Sequence, residues 1–110
     1  MDGTLMPIDV GVVWVDFLAK KSGADLSAEL ELSKRYLEDY RCGRFQVEPF
    51  MRFHMQLLAR FSRQNIEYLR ERFVSEVIKP NVMPAAVSLV ESMRESGYTL
   101  LMATGTNAFI

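Results

Sequence analysis

One apolar run constrains this chain more than any other feature: Tyr98 to Ala103 in YTLLMATGTN, bounded by Gly97 and Gly105. The run is short, partly β-branched or aromatic, and flanked by turn residues, so it predicts a buried strand near 98–103. A helix, a glycine and a fully buried strand are half of a parallel α/β unit. One strand makes no sheet. The rest of the chain offers almost nothing to pair with it, because its other apolar residues recur at helical spacing.

Val10, Val13, Trp14, Phe17 and Leu18 follow the i, i+3, i+4, i+7, i+8 rule and predict an amphipathic helix over about 9–21, ended by Ser22-Gly23. Asp25 or Ser27 can cap a second helix, with Leu26, Leu30, Leu37 and Tyr40 in one stripe and Gly43 as its stop. Val47, Phe50, Met51, His54, Leu57, Leu58 and Phe61 mark a third, which tolerates Pro49 in its first turn. Ser62 is a good N-cap for a fourth, carrying Ile66, Leu69, Phe73 and Val77, and Pro80 is expected to forbid its continuation. Pro84 starts a fifth, through Ala86, Leu89, Val90 and Met93, and Gly97 closes it.

With 110 residues there is room for one domain and one core. Lys plus Arg (13) nearly cancels Asp plus Glu (14), so bulk charge points to neither nucleic acid nor an anionic membrane. No apolar run is long enough to span a bilayer. The single cysteine, Cys42, excludes an intrachain disulfide and offers no metal-binding cluster. A cytoplasmic protein without nucleic-acid or membrane partners is the expectation.

Two polar stretches carry the chemistry. Thr104-Gly105-Thr106-Asn107 follows the predicted strand, and in open α/β sheets ligands bind at the carboxyl ends of strands. Small residues there let N–H groups and hydroxyls approach an anion, and the start of a following helix favours phosphate. The same four residues also read as a plain strand-ending turn. The second stretch is Asp2-Gly3-Thr4-Leu5 at the opposite end.

Asp2-Gly3-Thr4 resembles the second half of DxDGT, the first motif of the haloacid dehalogenase-like hydrolases, with Met1 at the x position. Thr104-Gly105 looks like the second motif of that family, a Thr or Ser at the end of the next core strand. Asp9 lies seven residues after Asp2, where phosphoserine phosphatase-like members carry an acidic, substrate-facing residue. Leu5-Met6-Pro7-Ile8-Asp9 with Trp14 and Phe17-Leu18 is similar to the bacterial subfamily IB. So are Tyr40 with Cys42-Gly43-Arg44-Phe45, Glu76 to Pro80, and the Ala-Thr-Gly-Thr-Asn-Ala-Phe ending. The resemblance covers essentially the whole chain.

The resemblance implies a three-layer α/β parent fold, a Rossmann-like core carrying a helical C1-type cap. The chain itself would be mostly α: a cap bundle, one core helix and one strand. The divisions expected are residues 1–8 from the first motif loop, 9–82 as the helical cap and 83–110 as part of the core. The activity implied is magnesium-dependent hydrolysis of a small phosphorylated metabolite through an aspartyl-phosphate. Asp2 would be the general acid/base, Thr104 and Gly105 would bind phosphate, and Asp9 and Arg44 would face the substrate. The nucleophilic aspartate would fall just before Met1, and the lysine and metal-binding acids beyond Ile110. The metal contribution left to this chain is the backbone carbonyl of Asp2, so the expectation is a fragment truncated at both ends, inactive alone and weak in magnesium binding. One departure is Gly11, where subfamily members often keep an acid.

Structural readings stand beside these. Asp2 reads equally as a frayed terminal residue, Asp9 as an N-cap, His54 as a half-buried packing residue, Arg41 and Arg44 as a solvated turn, and Cys42 as inert. A standalone helical binding module derived from the cap is the alternative function. Its unpaired strand would also let two copies join as a homodimer.

Overall fold

The computed structural model describes residues 2–106 and 108–110, so Asn107 of the predicted phosphate loop lies outside the described residues. The helices are α1 (Val10–Lys21), α2 (Ser27–Arg41), α3 (Val47–Leu58), α4 (Arg63–Phe73) and α5 (Pro84–Glu95).

α1 is the centre. Val10, Trp14, Val15, Phe17 and Leu18 are all buried, so more than one face of this helix is covered. Trp14 and Phe17 meet Phe73 of α4 edge-on, at 5.0 and 5.3 Å between ring centroids. Leu26 before α2, Phe53 and Leu57 of α3, and Ile66 and Leu69 of α4 complete the core. Asp9 caps α1 by accepting from the Val12 N–H at 3.0 Å, and Ser62 caps α4 by accepting from Asn65 at 3.3 Å. Asp25 does not cap α2 itself. It braces the preceding turn, accepting from the Ser27 N–H at 3.1 Å. Gly43 and Gly97 close α2 and α5 in the same way. Each takes a positive φ, 69° and 82°, while the N–H of the next residue reaches back five positions, Arg44 to Asp39 and Tyr98 to Met93.

Two expectations are corrected. Pro80 does not end the fourth helix. Val74–Ile78 form a π-helical turn and Lys79–Asn81 one further helical turn beyond it. The Lys79 N–H bonds the Val74 carbonyl, five residues back, and this wider turn accommodates a following proline that has no N–H to give. Asn81 Nδ2 then donates to the Val77 carbonyl at 2.8 Å.

The second correction is the strand. Residues 98–103 form none, and among the described residues β-type pairing is confined to an isolated parallel bridge between Asp2 and Met6. A strand exists through its neighbours' hydrogen bonds, and no neighbour is there. Leu101 is 89% exposed as a result. α5 has no buried residue, and its Met83 N–H is tied to the Leu5 carbonyl at 3.0 Å. The radius of gyration, 15.5 Å, exceeds the roughly 13 Å of a compact domain of this length, as a projecting helix requires.

Candidate active site

The two ends of the chain meet at the start of α1. Asp2 Oδ2 accepts from the Val10 N–H at 3.2 Å and faces the Thr106 hydroxyl at 3.4 Å. The Thr106 N–H donates in turn to Thr104 Oγ1 at 3.1 Å. On the other side, Phe109 lies 6.4 Å from Trp14 by ring centroids, with the Arg70 guanidinium 5.2 Å from its ring centre. These contacts, together with Ile110 against the core, hold the C-terminal loop over the N-terminal one. Asp2 is therefore not frayed. Its Oδ1 is buried and has no hydrogen-bond partner among the described residues, which marks a place that calls for a donor.

A cavity of about 310 Å³ opens here, lined by Asp2, Asp9, Thr104, Gly105 and Thr106 at one end. Tyr36 and Tyr40 of α2, with Phe45, Phe50 and His54, make its opposite wall. No Lys or Arg lines it. A wider groove of about 560 Å³ over Leu32, Val47 and Phe53 gathers no such set of polar groups from both chain ends.

Asp2, Asp9, Thr104 and Gly105, named from the sequence, thus come together at one cavity, whereas Arg44 does not join them. Arg44 sits on the turn after α2 and pairs with Asp39 at 3.3 Å. Cys42 donates to Glu38 at 3.3 Å, and that carboxylate pushes the thiol pKa up, away from the reactive thiolate. His54 is buried, 2% exposed, with Phe50 edge-on at 4.5 Å. Burial pushes its pKa down, and the nearby Asp9 carboxylate opposes that only in part.

Sequence reasoning missed Thr106 and the aromatic wall. The second threonine of TGT was an available signal for the first. Nothing in the order of residues announced that Tyr36, Phe45 and Phe50 would face the aspartates.

The match to known proteins falls on this arrangement. The haloacid dehalogenase-like hydrolase family matches residues 1–110. The chain belongs to that family. A histidinol-phosphatase of Neisseria meningitidis serogroup C (strain 8013) is 30% identical over 110 residues, which are 100% of this chain and 50% of that protein. This hydrolase-family chain therefore spans half the length of the curated relative it matches. No solved structure matches it at a significant level.

Members of the family generally use magnesium, so the donors were tested against that ion. Magnesium takes six oxygens in a near-octahedral shell, commonly one or two carboxylates with waters and substrate phosphate. Among the described residues no group of three His, Cys, Asp or Glu side chains could hold a metal. Asp2 brings one free carboxylate oxygen, and Asp9 is engaged in capping α1. These residues alone do not fit a magnesium site.

Proposed function

We propose that this chain contributes the helical cap and part of the phosphate site of a phosphomonoester hydrolase of the phosphoserine phosphatase-like subfamily IB. The observation that carries the reading is the meeting of Asp2 with the Thr104–Thr106 loop, about a hundred residues away in sequence, at the mouth of one cavity. In this reading residues 1–8 and 83–110 belong to the catalytic core and 9–82 to the cap. Asp2 protonates the leaving alkoxide and then activates water, a role that needs a carboxyl within hydrogen-bond reach of the reacting oxygen. The Thr104 hydroxyl and Gly105 N–H hold phosphoryl oxygens, as small residues in a loop can. Asp9 faces the leaving group, and Arg44 reaches it only by leaving Asp39. Attack on phosphorus requires a nucleophile that these residues do not place opposite Asp2, so the 110 residues alone are inactive in this reading.

The test is phosphate release from a panel of phosphomonoesters with magnesium, using the 110-residue chain and the complete product of its gene. The expected result is turnover by the complete product, about 10²- to 10⁴-fold lower in Asp2→Asn, and none by the 110 residues. Turnover by neither protein, or turnover indifferent to Asp2, sinks the reading. The first outcome would favour the alternative, a helical binding module. That alternative rests on the self-contained core of α1 to α4, to which α5 adds no buried residue.

A further inference from the structure

We infer that the cavity binds an organic cation, held between the Asp9 carboxylate and the aromatic wall of α2 and α3. Charge comes first. Asp2 and Asp9 both line the cavity, and no Lys or Arg does. His54 adds no positive charge near neutral pH, because its burial favours the neutral ring. A closed site with two carboxylates and no cation is complementary to positive charge.

The wall is the second, independent observation. Phe45 lies edge-on to Tyr40 and to Phe50, at 5.6 and 5.0 Å between centroids, and Tyr36 lies edge-on to Phe50 at 5.5 Å. The four rings form one continuous assembly, and aromatic faces attract ammonium, guanidinium and imidazolium groups through the ring quadrupole. Tyr40 is 69% exposed, an unusual position for a large ring unless something is to be covered by it.

Access is the third. Gly11 lines the cavity beside Asp9, and a Cβ there would come within 3.4 Å of Asp9 Oδ1. A longer side chain at that position would project next to the carboxylate, so the glycine leaves it open to a ligand. Asp9 uses Oδ1 to cap α1, and among the described residues Oδ2 accepts no hydrogen bond. The cavity is accordingly two-ended. Hydroxyls and a glycine N–H stand at the loop, and a carboxylate with aromatic rings stands at the cap.

Placing that cation on the leaving group of a phosphomonoester rests on the hydrolase reading above; the cation subsite itself does not. The substrate class is then a phosphate ester of an alcohol that carries an amine or imidazolium.

The experiment is titration of the 110-residue chain with benzylammonium, benzyl alcohol and benzoate, followed by amide NMR shifts at Gly11 and Thr106. Benzylammonium is expected to bind at least about tenfold more tightly than benzyl alcohol, with benzoate weakest. Asp9→Asn keeps a capping side chain and removes the charge. It should erase most of that preference and leave benzyl alcohol unchanged. Tyr40→Leu, at an exposed position, should weaken the cation by roughly threefold to tenfold. Equal binding of the alcohol, tighter binding of benzoate, binding of none of the three, or an Asp9→Asn variant that keeps the preference each overturns the inference. Cation binding without phosphate release by the complete gene product leaves the subsite standing and removes the hydrolase reading. Phosphate release without cation preference does the reverse.

Discussion

α4 and α5 are built from similar material and end in opposite conditions. Ile66, Leu69 and Phe73 recur along α4 as Ala86, Leu89, Val90 and Met93 do along α5. The first set is buried beneath α1, while Leu89 is 58% exposed. Amphipathic spacing tells that a helix has an apolar face, not what covers it. α4 found α1, whose own apolar surface extends around much of its circumference. α5 is joined to the bundle mainly through the Met83–Leu5 backbone bond at its first turn.

The contrast can be broken first at Phe73, which is fully buried against Trp14 and Phe17. Phe73→Ala should cost about 3–5 kcal/mol in urea unfolding, a large share of the roughly 5–15 kcal/mol of a small domain. A loss under about 1 kcal/mol would mean that the core described here is not what holds the helices together.

The pH dependence of stability sharpens the picture next. His54 in the folded chain has a pKa below its ordinary value of 6.5, so as pH falls through 6.5 the unfolded chain takes up a proton that the folded one refuses. Stability from this group is therefore intact above 6.5 and declines with acidification below it. Replacing His54 with Phe should remove that part of the slope, and an unchanged slope would place the titration elsewhere. The smallest expected effect is at α5: Leu89→Ala should shift unfolding by less than about 0.5 kcal/mol. A larger shift would show that α5 has a cover after all.

The order of residues told much about the bundle because its signals are local. The N-cap at Ser62, the glycine stop at Gly43 and the start of the third helix at Val47 are each set by chemistry within one turn. It misled where the outcome depends on a distant partner. Tyr98–Ala103 has the composition of a buried strand, yet burial and pairing must come from another segment. Pro80 was read as a stop because a π-turn upstream leaves no mark in composition. At the cavity, Asp2, Asp9, Thr104 and Gly105 were nameable because short motifs carried them. The aromatic wall was not, since its rings come from different turns of α2 and α3 and from the turn between them, and become neighbours only through packing.

The π-turn at Val74–Ile78 has a consequence for how this chain tolerates change. It amounts to one residue more than an α-helix would use over the same span. Deleting Ser75 would restore ordinary winding and turn everything beyond it by about 100°. Met83 would swing away from Leu5, and the start of α5 would lose its anchor on the Asp2 loop. Substitutions along Val74–Ile78, where no side chain is buried, should matter little by comparison. In that stretch a single-codon deletion is the damaging event, because the segment acts as a spacer whose number of links matters more than their kind.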